Sequence, residues 1–155
     1  MRCVLTRVKS ASVAIDGETV GQIGQGFLIL LGVGPEDTEE HCRRLAEKAL
    51  ALRIFEDENG KMNRGLEDVG GQVLVVSQFT LYGNCRKGRR PSFTDAAGPE
   101  LGNAMYERFL AICAELGYPP QHGRFGADMQ VASVNDGPVT LILDTKDLME
   151  TPRRG

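Results

Sequence analysis

The chain has 155 residues, 18 basic and 21 acidic side chains and a formal net charge of −3, with 41% hydrophobic and 25% charged residues. That length and balance suit one domain able to bury a sizeable core. They exclude a disordered chain, a disulfide mini-scaffold, a repeat array and a generally basic nucleic-acid binder, whose overall field would have to attract phosphate.

In chain order, Arg2–Lys9 alternates with a two-residue period and predicts a strand. Ser12–Ile15 and Glu18–Ile23 around Asp16-Gly17 predict a hairpin, because Asp-Gly supplies the positive φ of a tight turn. Phe27–Val33 (FLILLGV) reads as a central strand buried on both faces and ended by Pro35. A helix follows, with Asp37 and Glu40 at capping-box spacing and Cys42, Leu45, Ala46, Ala49 and Leu50 on one apolar face. Arg53–Glu56 predicts a short strand turned at Asn59-Gly60, and Val73–Val76 a buried one. A second helix starts near Pro99 and stops at Gly117, with Leu101, Met105, Phe109, Ile112 and Leu116 along one side. Two last strands, Met129–Val134 and Val139–Asp144, flank Asn135–Pro138. The order predicts one α/β domain over residues 1–147 with a mixed, mostly antiparallel sheet and two main helices, followed by a frayed tail at 148–155.

Histidine, the usual acid–base group at neutral pH, is limited to His41 and His122. Cys3, Cys42, Cys85 and Cys113 have no zinc spacing. No metal and no cofactor is expected. MRCVLTRV is read as carrying no signal peptide, and no segment approaches a membrane span, so a cytoplasmic chain with reduced thiols and no membrane partner is expected.

Three segments could carry chemistry. Val73–Val76 runs into Ser77, Gln78, Phe79 and Thr80, which is either a strand turning polar as it leaves the core or a site at a strand end. Arg86, Lys87, Arg89 and Arg90 lie within five residues, either as a solvated loop or as a local phosphate grip in an acidic chain. Asn135-Asp136-Gly137-Pro138 is either a hairpin connection or a device that aims carbonyl oxygens outward.

Taken together, Ser77–Tyr82 (SQFTLY), Arg86–Phe93 (RKGRRPSF), Gly123–Met129 (GRFGADM) and Asn135–Thr140 (NDGPVT) resemble, in this order, the D-aminoacyl-tRNA deacylase family. Arg53–Asp57 and Lys61–Asn63 match as well, so the resemblance spans residues 1 to about 145. It implies a barrel-like fold in a two-fold homodimer with the active sites at the subunit interface. It implies that Ser77, Gln78, Phe79 and Thr80 line the catalytic site for the aminoacyl ester at the tRNA 3′ end. Gly137-Pro138, with Asn135 beside it, is implied to be cis and to enter the partner's site, where it excludes an L side chain. Arg7 is implied to hold that motif, and Met129 to lie in the motif of the terminal adenosine pocket. The implied activity is hydrolysis of D-aminoacyl-tRNA, with clearance of glycine mischarged on tRNA(Ala). Arg86, Lys87, Arg89 and Arg90 are expected to contact tRNA phosphates. No histidine accompanies Thr80 in any motif, so its hydroxyl is expected to position groups and not to attack.

Overall fold

The computed structural model of the chain describes residues 1–149. The sequence predicts two strands, Arg2–Lys9 and Ser12–Ile15, but the chain forms a single one, β1 (Arg2–Ile15). It turns at Asp16 (φ 51°) and Gly17 (φ 82°), the double positive φ of a tight hairpin. β2 (Glu18–Ile23) and β3 (Gly26–Gly32) then return along β1. Ala11 opposes Ile23 and Val8 opposes Gly26, so one register continues across the break at Gly24-Gln25, and it shifts between Val13 and Ala14. At that break a Cβ on Gly26 would lie 1.8 Å from the Gln72 carbonyl oxygen, so only glycine lets the chains approach.

β6 (Gln72–Ser77) pairs in parallel with β3, and β7 (Gln121–His122) in parallel with β6. β7 comes back against β2, which curls the mixed sheet nearly closed like a barrel. Between them lie β4 (Phe55–Glu56), β5 (Met62–Arg64) and the single turn α2 (Leu66–Val69).

β8 (Gln130–Asp144) overturns the expectation of two final strands around a turn. Both of its halves pair antiparallel with β1, so no hairpin forms at Gly137-Pro138. Thr6 opposes Thr140 and Val8 opposes Asn135, which leaves the residues between them to bulge out of the ladder.

Helices α1 (Glu39–Leu50) and α3 (Pro99–Glu115) cover one face of the sheet, over Leu5, Phe27, Ile29, Leu31 and Val75. A second core of Val8, Val13, Ile23, Leu28, Leu74 and Val76 fills the inside of the curl. Each such side chain contributes about 1.5–3 kcal/mol on burial. Thr38 caps α1 in place of Asp37, and its N–H donates to His41 Nδ1 at 3.0 Å. Asp37 is instead buried, and its carboxylate accepts the Met1 amine at 2.7 Å and the Gly34 N–H at 2.6 Å.

The α3 face is rotated by about one residue from the predicted one. Gly102, Tyr106, Phe109, Leu110, Ile112 and Cys113 are buried while Leu116 is exposed. The rotation follows from what α3 packs against, since Gly102 abuts Phe125 and the Tyr106 hydroxyl donates to the Val75 carbonyl at 2.9 Å. The short helix α4 (Thr145–Leu148) ends the described chain, and Leu148 packs on the core. Of the expected tail, residues 150–155 lie outside the described residues.

The Tyr106 bond predicts a stability change separable from chemistry. Tyr106→Phe removes the donor to a buried carbonyl and lowers unfolding free energy by about 1 kcal/mol, read from the urea midpoint at constant m. An unshifted midpoint would show that the bond adds nothing.

Candidate functional site

β6 is apolar up to Val76 because both of its faces are buried; Ser77, still opposite Leu31 of β3, is its last residue, and the chain then turns. The Gln78 N–H donates to the Leu31 carbonyl at 2.7 Å, and Phe79–Tyr82 then form one 3₁₀ turn. Phe79 and Thr80 begin that turn, so their N–H groups have no carbonyl of the turn to meet. The side-chain amide of Gln78 donates to Thr80 Oγ1.

A cavity of about 600 Å³ opens at this strand end. Ser77, Gln78 and Phe79 form one wall, Phe93 and Thr94 a second, and Phe125 with Met129 a third. Its lining is mostly apolar, and Asp128 is the one ionisable residue in it among the described residues. Phe79, 56% exposed, meets Phe93 edge to face at 5.4 Å, so two aromatic rings stand at the mouth. Phe125 is held from behind by Tyr106, with ring centroids 6.1 Å apart.

The structure therefore brings Ser77, Gln78, Phe79 and Met129 together at one cavity and places Thr80 on the turn that bounds it. Asn135, Gly137, Pro138 and Arg7 do not line it. They form a second cluster, on the β1–β8 ladder. The Gly137-Pro138 bond is cis, and both residues are exposed. Asn135 staples the base of the bulge, its Oδ1 accepting the Val139 N–H at 2.9 Å and its Nδ2 donating to Thr140 Oγ1 at 2.9 Å. Arg7, only 3% exposed, supports it from behind: Nε donates to the Asp136 carbonyl at 2.9 Å and Nη1 to the Ile54 carbonyl at 2.6 Å. Gly137 has φ +136°, and a Cβ there would sit 3.0 Å from Arg7 Nη2.

Arg86, Lys87, Arg89 and Arg90 are exposed on an arm pinned at its base by the mutual backbone bonds of Asn84 and Ser92, at 2.7 and 2.8 Å. Among the described residues none of the four pairs with a carboxylate. The same arm delivers Phe93 and Thr94 to the cavity.

Phe93 and Phe125 fall within the RKGRRPSF and GRFGADM motifs, but nothing in their sequence context alone assigns either to the site. Their aromatic character next to a basic run and between glycines was the available signal. Ala96, Ala97 and Gly98 also line the cavity, and their small side chains carry no chemical signature.

Cysteine nucleophiles are absent from the cavity lining. Burial pushes the Cys42 thiol up to about 11 and those of Cys3 and Cys113 up to about 12, so none is a thiolate at neutral pH. Among the described residues no group of three or more His, Cys, Asp or Glu converges as a metal site would require. His41 is engaged at the α1 cap, and His122 Nδ1 lies 2.7 Å from the Gly123 carbonyl oxygen.

The family model for D-Tyr-tRNA(Tyr) deacylase matches residues 4–144. A D-aminoacyl-tRNA deacylase of Desulfatibacillum aliphaticivorans is 58% identical over 94% of this chain and 100% of its own length. One from Thermosipho africanus is 56% identical over 94% and 98%. Among solved structures, a c-Myc DNA unwinding element binding protein superposes with TM-score 0.87 and 41% identity, covering 93% of this chain and 98% of its own. A probable eukaryotic D-amino acid tRNA deacylase, at 20% identity, shares the fold with TM-score 0.78 over 92% and 97%. These findings define the class, a hydrolase of α/β fold that acts on aminoacyl-tRNA. Within that class, the chain belongs to the D-aminoacyl-tRNA deacylase family, which cleaves the ester joining a D-amino acid to tRNA.

The cavity lining predicts turnover without imidazole. His41→Gln and His122→Gln should each keep kcat for D-Tyr-tRNA within about twofold, since general acid–base loss would cost about 10²–10⁴. A loss of that size in either variant would restore histidine to the mechanism.

Proposed function

We propose that the chain acts as a homodimer in which the cis Gly137-Pro138 bulge of one subunit closes the Ser77–Thr80 cavity of the other, admitting D-aminoacyl and glycyl esters and rejecting L. The observation that carries this reading is the separation of the two clusters within one chain. The bulge is stiffened by Arg7 and Asn135 yet stands exposed, away from its own cavity. A stiff exposed wall has no work to do alone and suits a partner's site.

The surface around the bulge supports pairing of two copies. β8 is long, bonded to β1 along one edge, and exposes Val131, Val134 and Ile142, the last 78% exposed. Such a strand is normally covered or paired.

Discrimination then follows from geometry. D and L residues exchange two substituents at one carbon, so a rigid wall on one side excludes L without reading the side chain of D. Glycine has no side chain to exclude, so glycine mischarged on tRNA(Ala) is a substrate. The terminal adenosine lies toward Met129 and the two rings at the mouth, and the basic arm meets tRNA phosphates. The enzyme acts in the cytoplasm, where tRNA is charged; among the described residues no helix is long and apolar enough to cross a membrane.

In the reaction, water adds to the ester carbonyl and the bond to the ribose 3′-oxygen breaks. The developing oxyanion takes the N–H groups of Phe79 and Thr80, and the adjacent 2′-hydroxyl relays a proton to the departing 3′-oxygen. The Thr80 hydroxyl accepts from Gln78 and meets no base, so it positions the turn.

Two measurements test this. Thr80→Ala should lose no more than about tenfold in kcat on D-Tyr-tRNA, with no covalent adduct by mass spectrometry, because oriented backbone donors survive the change. Abolished turnover in that variant, together with an acyl-enzyme trapped on the native chain, would make Thr80 a nucleophile. In the second, the native chain hydrolyses D-Tyr-tRNA and Gly-tRNA(Ala) and spares L-Tyr-tRNA. Gly137→Ala, strained by its φ and crowded by Arg7, lowers the D-to-L rate ratio by at least about tenfold while the protein stays folded. Equal native rates on D and L, or an undiminished ratio in the variant, would defeat the wall.

A further inference from the structure

A second cavity, of about 500 Å³, lies on the far side of the 3₁₀ turn from the ester site. Arg2, Tyr82, Asn84, Arg86 and Asp95 contribute to its lining, and it shares no residue with the cavity at Ser77–Phe79. The two openings are linked by one short element, since Phe79 at the start of the turn lines one and Tyr82 at its end lines the other. Three residue steps of a 3₁₀ helix span about 6 Å. That is comparable to the reach of a single nucleotide in an extended strand.

Arg2 is held ready in this second cavity. Its guanidinium lies over the Tyr82 ring, 4.2 Å from the centroid. Its Nη1 donates to the Leu81 carbonyl at 3.3 Å, and its Nε stands 3.2 Å from Asp144 Oδ2 without forming a hydrogen bond. Among the described residues Nη2 has no hydrogen-bond partner. Arg86, also in the lining, starts the basic arm; its backbone N–H donates to Asn84 Oδ1 at 3.0 Å. Two guanidinium groups and a carboxamide around one polar space are the donor set that phosphate oxygens take. Asp95 in the wall narrows the choice. It disfavours a dianion such as free phosphate, and it suits a singly charged phosphodiester whose neighbouring ribose hydroxyl donates to the carboxylate.

We propose that this cavity is a phosphodiester subsite for the nucleotide that precedes the terminal adenosine of the tRNA acceptor strand, with Arg2 and Arg86 as its cationic walls. The proposal rests on the reading that the Ser77–Thr80 cavity receives the 3′ end. A strand leaving that cavity over Phe79 and Phe93 meets the second cavity one nucleotide on. Arg2, at the start of β1 and remote in sequence from the basic run, thus joins the RNA-binding surface.

The test is binding of an uncharged acceptor mini-helix with its single-stranded 3′ end, titrated by fluorescence anisotropy at several salt concentrations. Arg2→Gln and Arg86→Gln each weaken binding about tenfold at low salt and reduce the slope of log K against log salt by about 0.7. In parallel, the ratio of kcat/KM for D-Tyr-tRNA to that for D-Tyr-adenosine falls by about the same factor, because the small ester cannot reach the subsite. Native slope and affinity in the Arg2 variant overturn the proposal, as does an equal fall on both esters, which marks a purely structural arginine. Should Arg2→Gln fail to fold without its Asp144 contact, Arg2→Lys, which keeps the charge but not the fork, weakens binding at an unchanged slope, and the exposed Arg86→Gln decides by the slope. The deacylase reading fails by a different result, D-Tyr-adenosine left intact by the native protein, and the mini-helix slopes do not depend on it.

Discussion

Burying the Arg7 guanidinium costs several kcal/mol unless its N–H groups find acceptors, and the chain supplies them from separate segments. The Ile54 carbonyl comes from the run into β4 and the Asp136 carbonyl from the β8 bulge. Glu56 Oε1 stands 3.4 Å from both terminal nitrogens, and Asp136 Oδ2 3.8 Å from Nε, so negative charge surrounds the cation. The side chain of one β1 residue thereby ties an early hairpin to a late strand. A lysine has one compact ammonium and could not reach both carbonyls in fixed directions. Gly137 is demanded by the same guanidinium, because a Cβ would crowd it. The exposed bulge is stiff because its foundation is buried, ionic and fully engaged.

The cavity at Ser77–Phe79 is built on the opposite plan. It offers backbone dipoles, a carboxamide, hydroxyls and aromatic faces, with Asp128 its one ionisable residue among those described. Such a lining suits a substrate that already carries an activated acyl group and needs orientation more than proton transfer. Charge is moved to the rim, where Arg86, Lys87, Arg89 and Arg90 stand in solvent on an arm whose base is fixed by Asn84 and Ser92. A formal net charge of −3 is compatible with this, since only the terminus of an RNA has to dock.

Local signals were legible in the sequence, while long-range partners were not. Asp16-Gly17, the apolar run at Phe27–Val33 and the α1 face appear as their spacing predicts, because each is decided within a few residues. The hairpin at Asn135–Pro138 was the natural expectation, since Asp-Gly favours a turn. It fails because β1 is long enough to pair with both flanking segments and so holds them in one line. Asp37 has the chemistry of a cap, but the Met1 amine lies close enough to claim it. The α3 face shifts toward Tyr106 because its hydroxyl finds a β6 carbonyl, a contact no periodicity contains. In the site, the polar strand end was visible as a break in composition. Phe125 needed the fold, since only packing on Tyr106 turns it into a wall.

Affinity and selectivity have to come from different parts of this molecule. Every contact with tRNA is identical for the D and L esters, so the phosphate contacts proposed for the arm would bind both equally and discriminate neither. Discrimination has to arise at the α-carbon, within a difference of one substituent's position, and a wall that yields by a fraction of an ångström loses it. An exposed arm of flexible cations would therefore be a poor place for the selective element, and a bulge clamped by a buried arginine is a good one. The converse also holds, since a rigid grip on RNA would slow product release without improving choice. The proposed division between a stiff Gly137-Pro138 bulge that selects and a solvated Arg86–Arg90 arm that binds thus matches what the substrate's own symmetry requires.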